Sequence, residues 1–267
     1  VNEQLSIVFK ASEPSHTPVI SLPLNSMPLL RDYEFSISKD CQLSAKIKQK
    51  PVNPSAEKVM SLMIALFNQT NKLESWKESF AFFALGSQKP LLQAILGFRP
   101  QGQKINAYWQ LLSEGKTEKL LINSFLGSRE FTYKKDALAS ADIHTPNESE
   151  KGLLAVIDFL NHKVGDSGYK INRDTGSMEI WGEKESKPGE LFVQYGFIDA
   201  LQTYLTYGFV DVASPIYFSG RMQFKLKSGF ILDIERTYHC SPKFSITGYI
   251  ENSVAPSRLT SKPLIFA

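Results

Sequence analysis

Cysteine is scarce in this chain: Cys41 and Cys240 are the only two among 267 residues. A disulfide scaffold is excluded, and a single disulfide is not. Free thiols in a reducing compartment are the expectation. Histidine is scarce as well. His16, His144, His162 and His239, taken with the cysteines, form no close-spaced cluster of the kind a metal needs. Long apolar runs are missing: the longest nearly apolar run covers residues 59–67, far short of the ~20 residues that cross a bilayer. No signal-peptide pattern opens the chain, which begins at Val1, so a leader or a preceding domain could have been removed. Neither charge sign dominates. Thirty basic residues face 27 acidic ones for a net charge of +3, too little to imply nucleic-acid binding. Internal repeats and low-complexity tracts are absent too. The expectation is a chain without membrane or nucleic-acid partners, placed in the cytoplasm with the nucleus as the other candidate.

What is present is large core material. Apolar residues make up 42% of the chain, charged residues 21%, and there are 18 Phe and 10 Tyr. That suffices for one large domain or two modest ones. Residues 5–48 read as short strands and turns, with Ser6-Ile7-Val8-Phe9-Lys10, Pro18-Val19-Ile20-Ser21-Leu22-Pro23 and the alternating Leu43–Lys48. From residue 55 the period changes. Val59, Met60, Met63, Ile64 and Phe67 follow helical spacing, and a second helix is expected over 73–85 with Trp76, Phe80 and Phe83 on one stripe. Further helices are expected over 90–96, 105–112 and 117–126. Residues 132–150 are polar and read as a connection. Strand patterns return at Ser177–Trp181, Glu190–Val193, Met222–Leu226, Phe230–Asp233 and Phe244–Ile250. A β region split by a helical block, then β again, predicts an α+β fold and not a βαβ sheet.

Two short motifs are decoys. Gly165-Asp166-Ser167-Gly168 has the look of a serine-protease nucleophile segment, but no His context for a triad accompanies it. Gly97-Phe98-Arg99-Pro100-Gln101-Gly102 has P-loop glycine spacing, yet Gln103 stands where the phosphate-binding lysine belongs. Both read as turns. Asn68-Gln69-Thr70 and Asn147-Glu148-Ser149 match the glycosylation pattern and read as chance matches.

The stretch from Asp158 to Asp211 carries the chemistry. Asp158-Phe159-Leu160-Asn161-His162 is followed by Gly189-Glu190-Leu191-Phe192-Val193-Gln194-Tyr195 and then by Tyr207-Gly208-Phe209-Val210-Asp211. In that order and near that spacing, the three segments resemble the carboxyl half of the SET domain of protein lysine methyltransferases, above all the Rubisco large-subunit methyltransferase type. Leu126-Gly127-Ser128-Arg129-Glu130-Phe131 resembles the R-S-R-x-F segment upstream of the N-H motif in that family. The likeness implies a β-rich SET-like (β-clip) domain with residues 1–54 and 132–212 as its two parts, a helical insertion over 55–131, and a β-rich extension over 213–267.

The resemblance implies S-adenosylmethionine as cofactor and a lysine-bearing protein or peptide as substrate. Arg129 would meet the cofactor carboxylate, and Asn161 and His162 its amino-acid and adenine parts. Tyr207 would stand beside the transferred methyl, while Tyr195 and Tyr169 would wall the lysine channel. Two departures set up a second expectation. Gln4-Leu5-Ser6 stands where the family has a G-x-G against the cofactor, which places Ser6 there, and Asp199-Ala200-Leu201-Gln202-Thr203 replaces S-N-x-E-L. Glycine allows a backbone approach that larger residues obstruct. The alternative expectation is thus a degenerate SET-fold protein that binds a peptide or partner without turnover, and behind it an unrelated α+β binding module.

Overall fold

The computed structural model describes residues 8–9, 18–48, 53–97, 103–163, 168–181, 189–196, 198–212, 214, 216–219, 222–225, 231–234 and 237–240. The chain divides into two compact units, Val1–Ser214 and Pro215–Ala267. The fold is mixed α+β, with small and mostly antiparallel sheets.

The first unit opens with strands β1 (Val8–Phe9), β2 (Ile20–Pro23), β3 (Tyr33–Ile37) and β4 (Leu43–Ile47). β3 and β4 form a hairpin in register Tyr33↔Ile47 to Ile37↔Leu43. Helix α1 (Pro54–Gln69) follows for local reasons. Asn53 caps it by accepting from the Ser55 backbone N–H at 2.8 Å, and Pro54 sits in the first turn where no N–H is missed. Such a cap is worth about 1 kcal/mol. Ala56, Met60, Met63 and Phe67 form its buried stripe. Asn68, on the same helix, exchanges two hydrogen bonds of 2.9 Å with the Leu43 backbone. Its amide is consumed by packing against β4, which gives the glycosylation-like pattern there a structural reason.

The helix expected over 73–85 is two pieces, α2 (Lys72–Ser79) and α3 (Ala81–Ala84). Phe80 breaks it with extended backbone at ψ 127°. The kink turns Phe82 into the core in place of Phe83, and both Phe80 and Phe82 are fully buried. Phe80 then lies between Trp76, 4.9 Å away, and Phe82, 5.3 Å away, in stacked pairs. Each such pair contributes roughly 0.5–1.5 kcal/mol beyond area burial, which offsets the lost helical hydrogen bonds. Helices α4 (Lys89–Gly97), α5 (Gln103–Ser113) and α6 (Thr117–Gly127) lie where the periodicity places them.

Residues 132–150, expected to be a connection, carry structure instead. β5 (Glu130–Lys134), α7 (Lys135–Ala139) and β6 (Ser149–Leu153) occupy them, and β5 pairs with β6. The segment reads polar because one face of the ladder is wet while Tyr133 is fully buried. A buried polar knot also sits there: Arg31 Nη1 donates to Thr145 Oγ1 at 2.9 Å and to the Glu150 carboxylate, and Asn147 donates to the same oxygen at 2.8 Å.

Next come β7 (Asn161–His162), β8 (Tyr169–Asn172), β9 (Ser177–Ile180), β10 (Gly189–Glu190), β11 (Phe192–Val193) and α8 (Ala200–Tyr207). The strand expected over 190–193 is interrupted at Leu191, whose side chain is buried. The amino-terminal segment joins these later elements directly. β2 pairs with β9 from Ile20↔Ile180 to Pro23↔Ser177, β1 pairs with β10, and Leu29 bridges Gly152. β1 and β2 therefore share sheets with β10 and β9 across the intervening helices. The second unit holds two antiparallel pairs, β12 (Ile216–Ser219) with β15 (Thr237–Cys240) and β13 (Met222–Lys225) with β14 (Ile231–Ile234). The boundary at 214/215 falls two residues from the one expected. The strand expected over 244–250 lies outside the described residues, as do Ser6, residues 98–102 and 165–167 of the decoys.

No helix among the described residues is long and apolar enough to cross a membrane. None of their His, Cys, Asp and Glu side chains group in threes as a metal site would. Cys41 is half-buried with a free thiol.

Candidate functional site

The site is built on the loop from Leu154 to Leu160. Val156 has φ 65° and ψ −49°, and the Ile157 N–H donates to the Ala155 carbonyl at 2.6 Å. That is a γ-turn of the rare positive-φ kind, costly for a β-branched residue. The Val156 side chain stays in solvent at 42% exposure, so core packing does not explain the turn. Its effect is to aim the next residues inward. A single 3-10 turn over Ile157–Phe159 follows, burying Asp158.

Asp158 meets Arg129, delivered from the other direction by the end of α6. The Arg129 Nε lies 3.3 Å from Asp158 Oδ1, at ion-pair distance, with side-chain exposures of 12% and 6%. The guanidinium rests on rings: Cζ is 3.9 Å from the Phe125 centroid, 5.3 Å from Trp76 and 5.9 Å from Phe67. Nη1 donates to the Phe125 carbonyl at 3.2 Å and to Ser128 Oγ at 2.7 Å. Burial pushes the Asp158 carboxyl up from its ordinary range, opposed by the charges of Arg129 and Lys72. Burying an ion pair in this way costs desolvation that only good partners offset.

After Leu160 the chain becomes β7. It runs parallel to β11, in register Asn161↔Phe192 and His162↔Val193, and the Lys163 N–H donates to the Val193 carbonyl at 3.2 Å. This pairing sets the His162 ring, whose side chain is 1% exposed. Nδ1 accepts from the Tyr195 backbone N–H at 3.0 Å, and Nε2 stands 3.5 Å from Asp211 Oδ2. Burial lowers the imidazole pKa, with Asp211 pulling the other way. An acceptor Nδ1 means that the neutral ring carries its proton on Nε2, facing Asp211.

Around His162 the tyrosines gather. The Tyr195 ring is 5.1 Å from His162 and 4.9 Å from Tyr207, and Phe209 is 6.0 Å from His162 and 6.2 Å from Tyr207. The Tyr195 hydroxyl donates to the Leu160 carbonyl at 2.7 Å. Tyr169 is half-buried against Phe131 at 5.9 Å. Burial raises its phenol pKa, and the nearby Tyr195, Tyr207 and Asp158 raise it further. Burial likewise raises Tyr195 and Tyr207. Tyr207 is delivered by α8, which Asp199 caps by accepting from the Gln202 N–H at 2.8 Å. The residue standing in for the family's S-N-x-E-L opening thus has a local task. Gly208 ends α8 in the left-handed region at φ 74°.

The structure brings together Arg129, Asn161, His162, Tyr169, Tyr195 and Tyr207 from five separate stretches of chain. Ser6 lies outside the described residues. The Leu160 carbonyl is taken by the Tyr195 hydroxyl, and Tyr207 is half-buried. Sequence reasoning did not assign roles to Asp158 and Asp211, though both lie inside the quoted motifs, or to Lys72, which no motif marks. Ring faces, one carbonyl and two acids make a setting suited to holding a cation or a polar organic molecule. The chain matches no model of a known protein family and no curated protein sequence.

Proposed function

We propose that this chain is an S-adenosylmethionine-dependent N-methyltransferase of SET-like fold acting on protein lysine. One observation carries the reading: Tyr169, Tyr195 and Tyr207 converge beside the Asn161–His162 strand, although the Asn161-His162 and Tyr-Gly-Phe segments are far apart in sequence. Parallel pairing of β7 with β11 and the inward turn at Val156 make that convergence. Two cysteines and a protein substrate suit a cytoplasmic or nuclear setting.

The donor set fits such a cofactor. Arg129 Nε and His162 Nε2 are buried without a hydrogen bond, and ring faces lie beside them. Arg129, Asn161 and His162 would hold the cofactor, which supplies a methyl group activated by a sulfonium. The chain's own residues do the rest by position. Tyr195, fixed to the Leu160 carbonyl, sets one wall. Tyr169 and Tyr207 set the others and exclude water, which favours the neutral form of a lysine amine that ordinarily titrates near 10.4. The rings also suit a cation on its way in.

A second reading has its own observation. Arg129 Nη1 is spent on Phe125 and Ser128, and its charge faces Asp158. An arginine whose Nη1 and charge are engaged internally favours a SET-like protein that binds a peptide without turnover. Calorimetry with S-adenosylmethionine followed by a methylation assay on cell extract separates the two. Binding with transfer to protein lysine supports the enzyme. Binding of a lysine peptide without any cofactor uptake at millimolar concentration overturns it in favour of the second.

A further inference from the structure

Lys72 is a charged group beside the site to which the proposed chemistry gives no task. It opens α2, and its Nζ lies 5.8 Å from the centroid of Phe159, the residue after Asp158. Phe159 packs on Phe67 at 5.9 Å, and Arg129 Cζ stands 5.9 Å from that same Phe67 ring. The two cations thus approach one pair of rings with Asp158 beside them both. Their environments differ. Arg129 is anchored by the Phe125 carbonyl, Ser128 and Asp158. Lys72 is half-buried and has no hydrogen bond or ion pair among the described residues. Burial, then the Arg129 charge, hold its ammonium below the ordinary lysine range, while Asp158 opposes them.

The charge count is one-sided. With Asp158 ionised, two cations face one carboxylate; with Asp158 protonated, they face none. Either way this cluster has a positive surplus, and the ammonium is the part of it without a hydrogen bond among the described residues. A half-buried cation that rests on a ring but makes no hydrogen bond costs free energy that an anion would return. An arginine whose Nη1 is used internally presents a carboxylate with less than its full fork.

We propose that Lys72 is a cofactor-binding residue, supplying the cation that meets the α-carboxylate at the amino-acid end of S-adenosylmethionine, with Arg129 as the fixed charge behind it. The inference rests on the proposed function and adds to it a residue from the helical insertion.

The test uses two ligands that differ at that end. Calorimetry on the full chain measures S-adenosylmethionine and 5′-methylthioadenosine, which has no amino-acid group. Lys72→Gln is expected to weaken S-adenosylmethionine roughly tenfold, the scale of one charge-assisted hydrogen bond, and to leave methylthioadenosine unchanged. Lys72→Arg is expected to restore most of the loss. Unchanged affinity of Lys72→Gln for S-adenosylmethionine overturns the role of Lys72 while leaving the proposed function standing. Equal weakening of both ligands also overturns it, because the effect is then on the pocket and not on the carboxylate. Failure of the wild-type chain to bind either ligand overturns the proposed function and this inference with it.

Discussion

His162 accepts a hydrogen bond on Nδ1 from the backbone N–H of Tyr195 at 3.0 Å. The bond ties the strand of the Asn-His pair to the segment that carries the tyrosine wall. It also restricts protonation. An imidazolium has no lone pair on Nδ1, so charging His162 breaks this bond inside a buried site.

The first prediction follows from the sign of that coupling. Burial lowers the His162 pKa in the folded chain, while the unfolded value is about 6.5. Below that value the unfolded chain binds a proton that the folded one resists, so stability falls as pH drops from about 6.5 toward the lower folded value. Above it the contribution is fully present. Urea midpoints of wild type and His162→Gln between pH 5 and 8 read this out. The wild type should lose stability on acidification through a step that the variant lacks, and parallel curves would remove His162 as the cause.

Asp158→Ala tests the buried pair. The substitution leaves the Arg129 guanidinium on Phe125 with no carboxylate at 3.3 Å. Removing one partner of a buried pair costs about 3–5 kcal/mol. Chemical denaturation should show that loss, and adding Arg129→Met should recover much of it. A single-variant cost below about 1 kcal/mol, the range of exposed pairs, would contradict the buried-pair reading.

Helical period located α1 because it buries a continuous apolar stripe, Ala56, Met60, Met63 and Phe67, and α4, α5 and α6 lie where helices were expected. It missed the break at Phe80, since a stripe does not reveal that two neighbouring rings, Phe80 and Phe82, both go inward. β5 and β6 were hidden for the opposite reason: Thr132, Lys134, Ser149 and Lys151 are polar, and the ladder is held by backbone bonds. In the site, the motif residues were legible. The geometry that joins them was not, because the positive φ of Val156 and the parallel pairing of β7 with β11 are tertiary outcomes that composition does not encode. Lys72 was illegible altogether, since nothing in its neighbourhood of sequence distinguishes it from a solvated lysine.

Gly208→Ala tests the turn that presents Tyr207. Gly208 has φ 74° and ends α8, a conformation that costs a residue with Cβ roughly 1–2 kcal/mol. An added Cβ would also stand 3.0 Å from Ser79 Oγ and 3.4 Å from the Ser79 backbone. Asparagine tolerates the left-handed region better than alanine does. If φ is the main constraint, Gly208→Asn should melt above Gly208→Ala, with both below wild type. The reverse order would show that the space beside Ser79 matters more than φ.

The last prediction separates the two phenols that stand 4.9 Å apart. The Tyr195 hydroxyl is committed to the Leu160 carbonyl at 2.7 Å. Tyr195→Phe leaves that carbonyl with one partner fewer and should cost about 1 kcal/mol of stability. The Tyr207 hydroxyl has no hydrogen bond among the described residues, so Tyr207→Phe keeps the ring contacts with Tyr195 and Phe209 and should move stability by less than about 0.5 kcal/mol. Activity should rank the other way. If the chain is a methyltransferase, the uncommitted hydroxyl is the one able to contact a reacting group, and Tyr207→Phe should cut turnover by about a hundredfold, the scale of one positioned polar contact in a transition state. Thermal denaturation and methyl transfer measured on the same two variants decide it. A Tyr207→Phe chain with wild-type turnover, or one that loses as much stability as Tyr195→Phe, would show that the roles of the two tyrosines have been exchanged or that neither is catalytic.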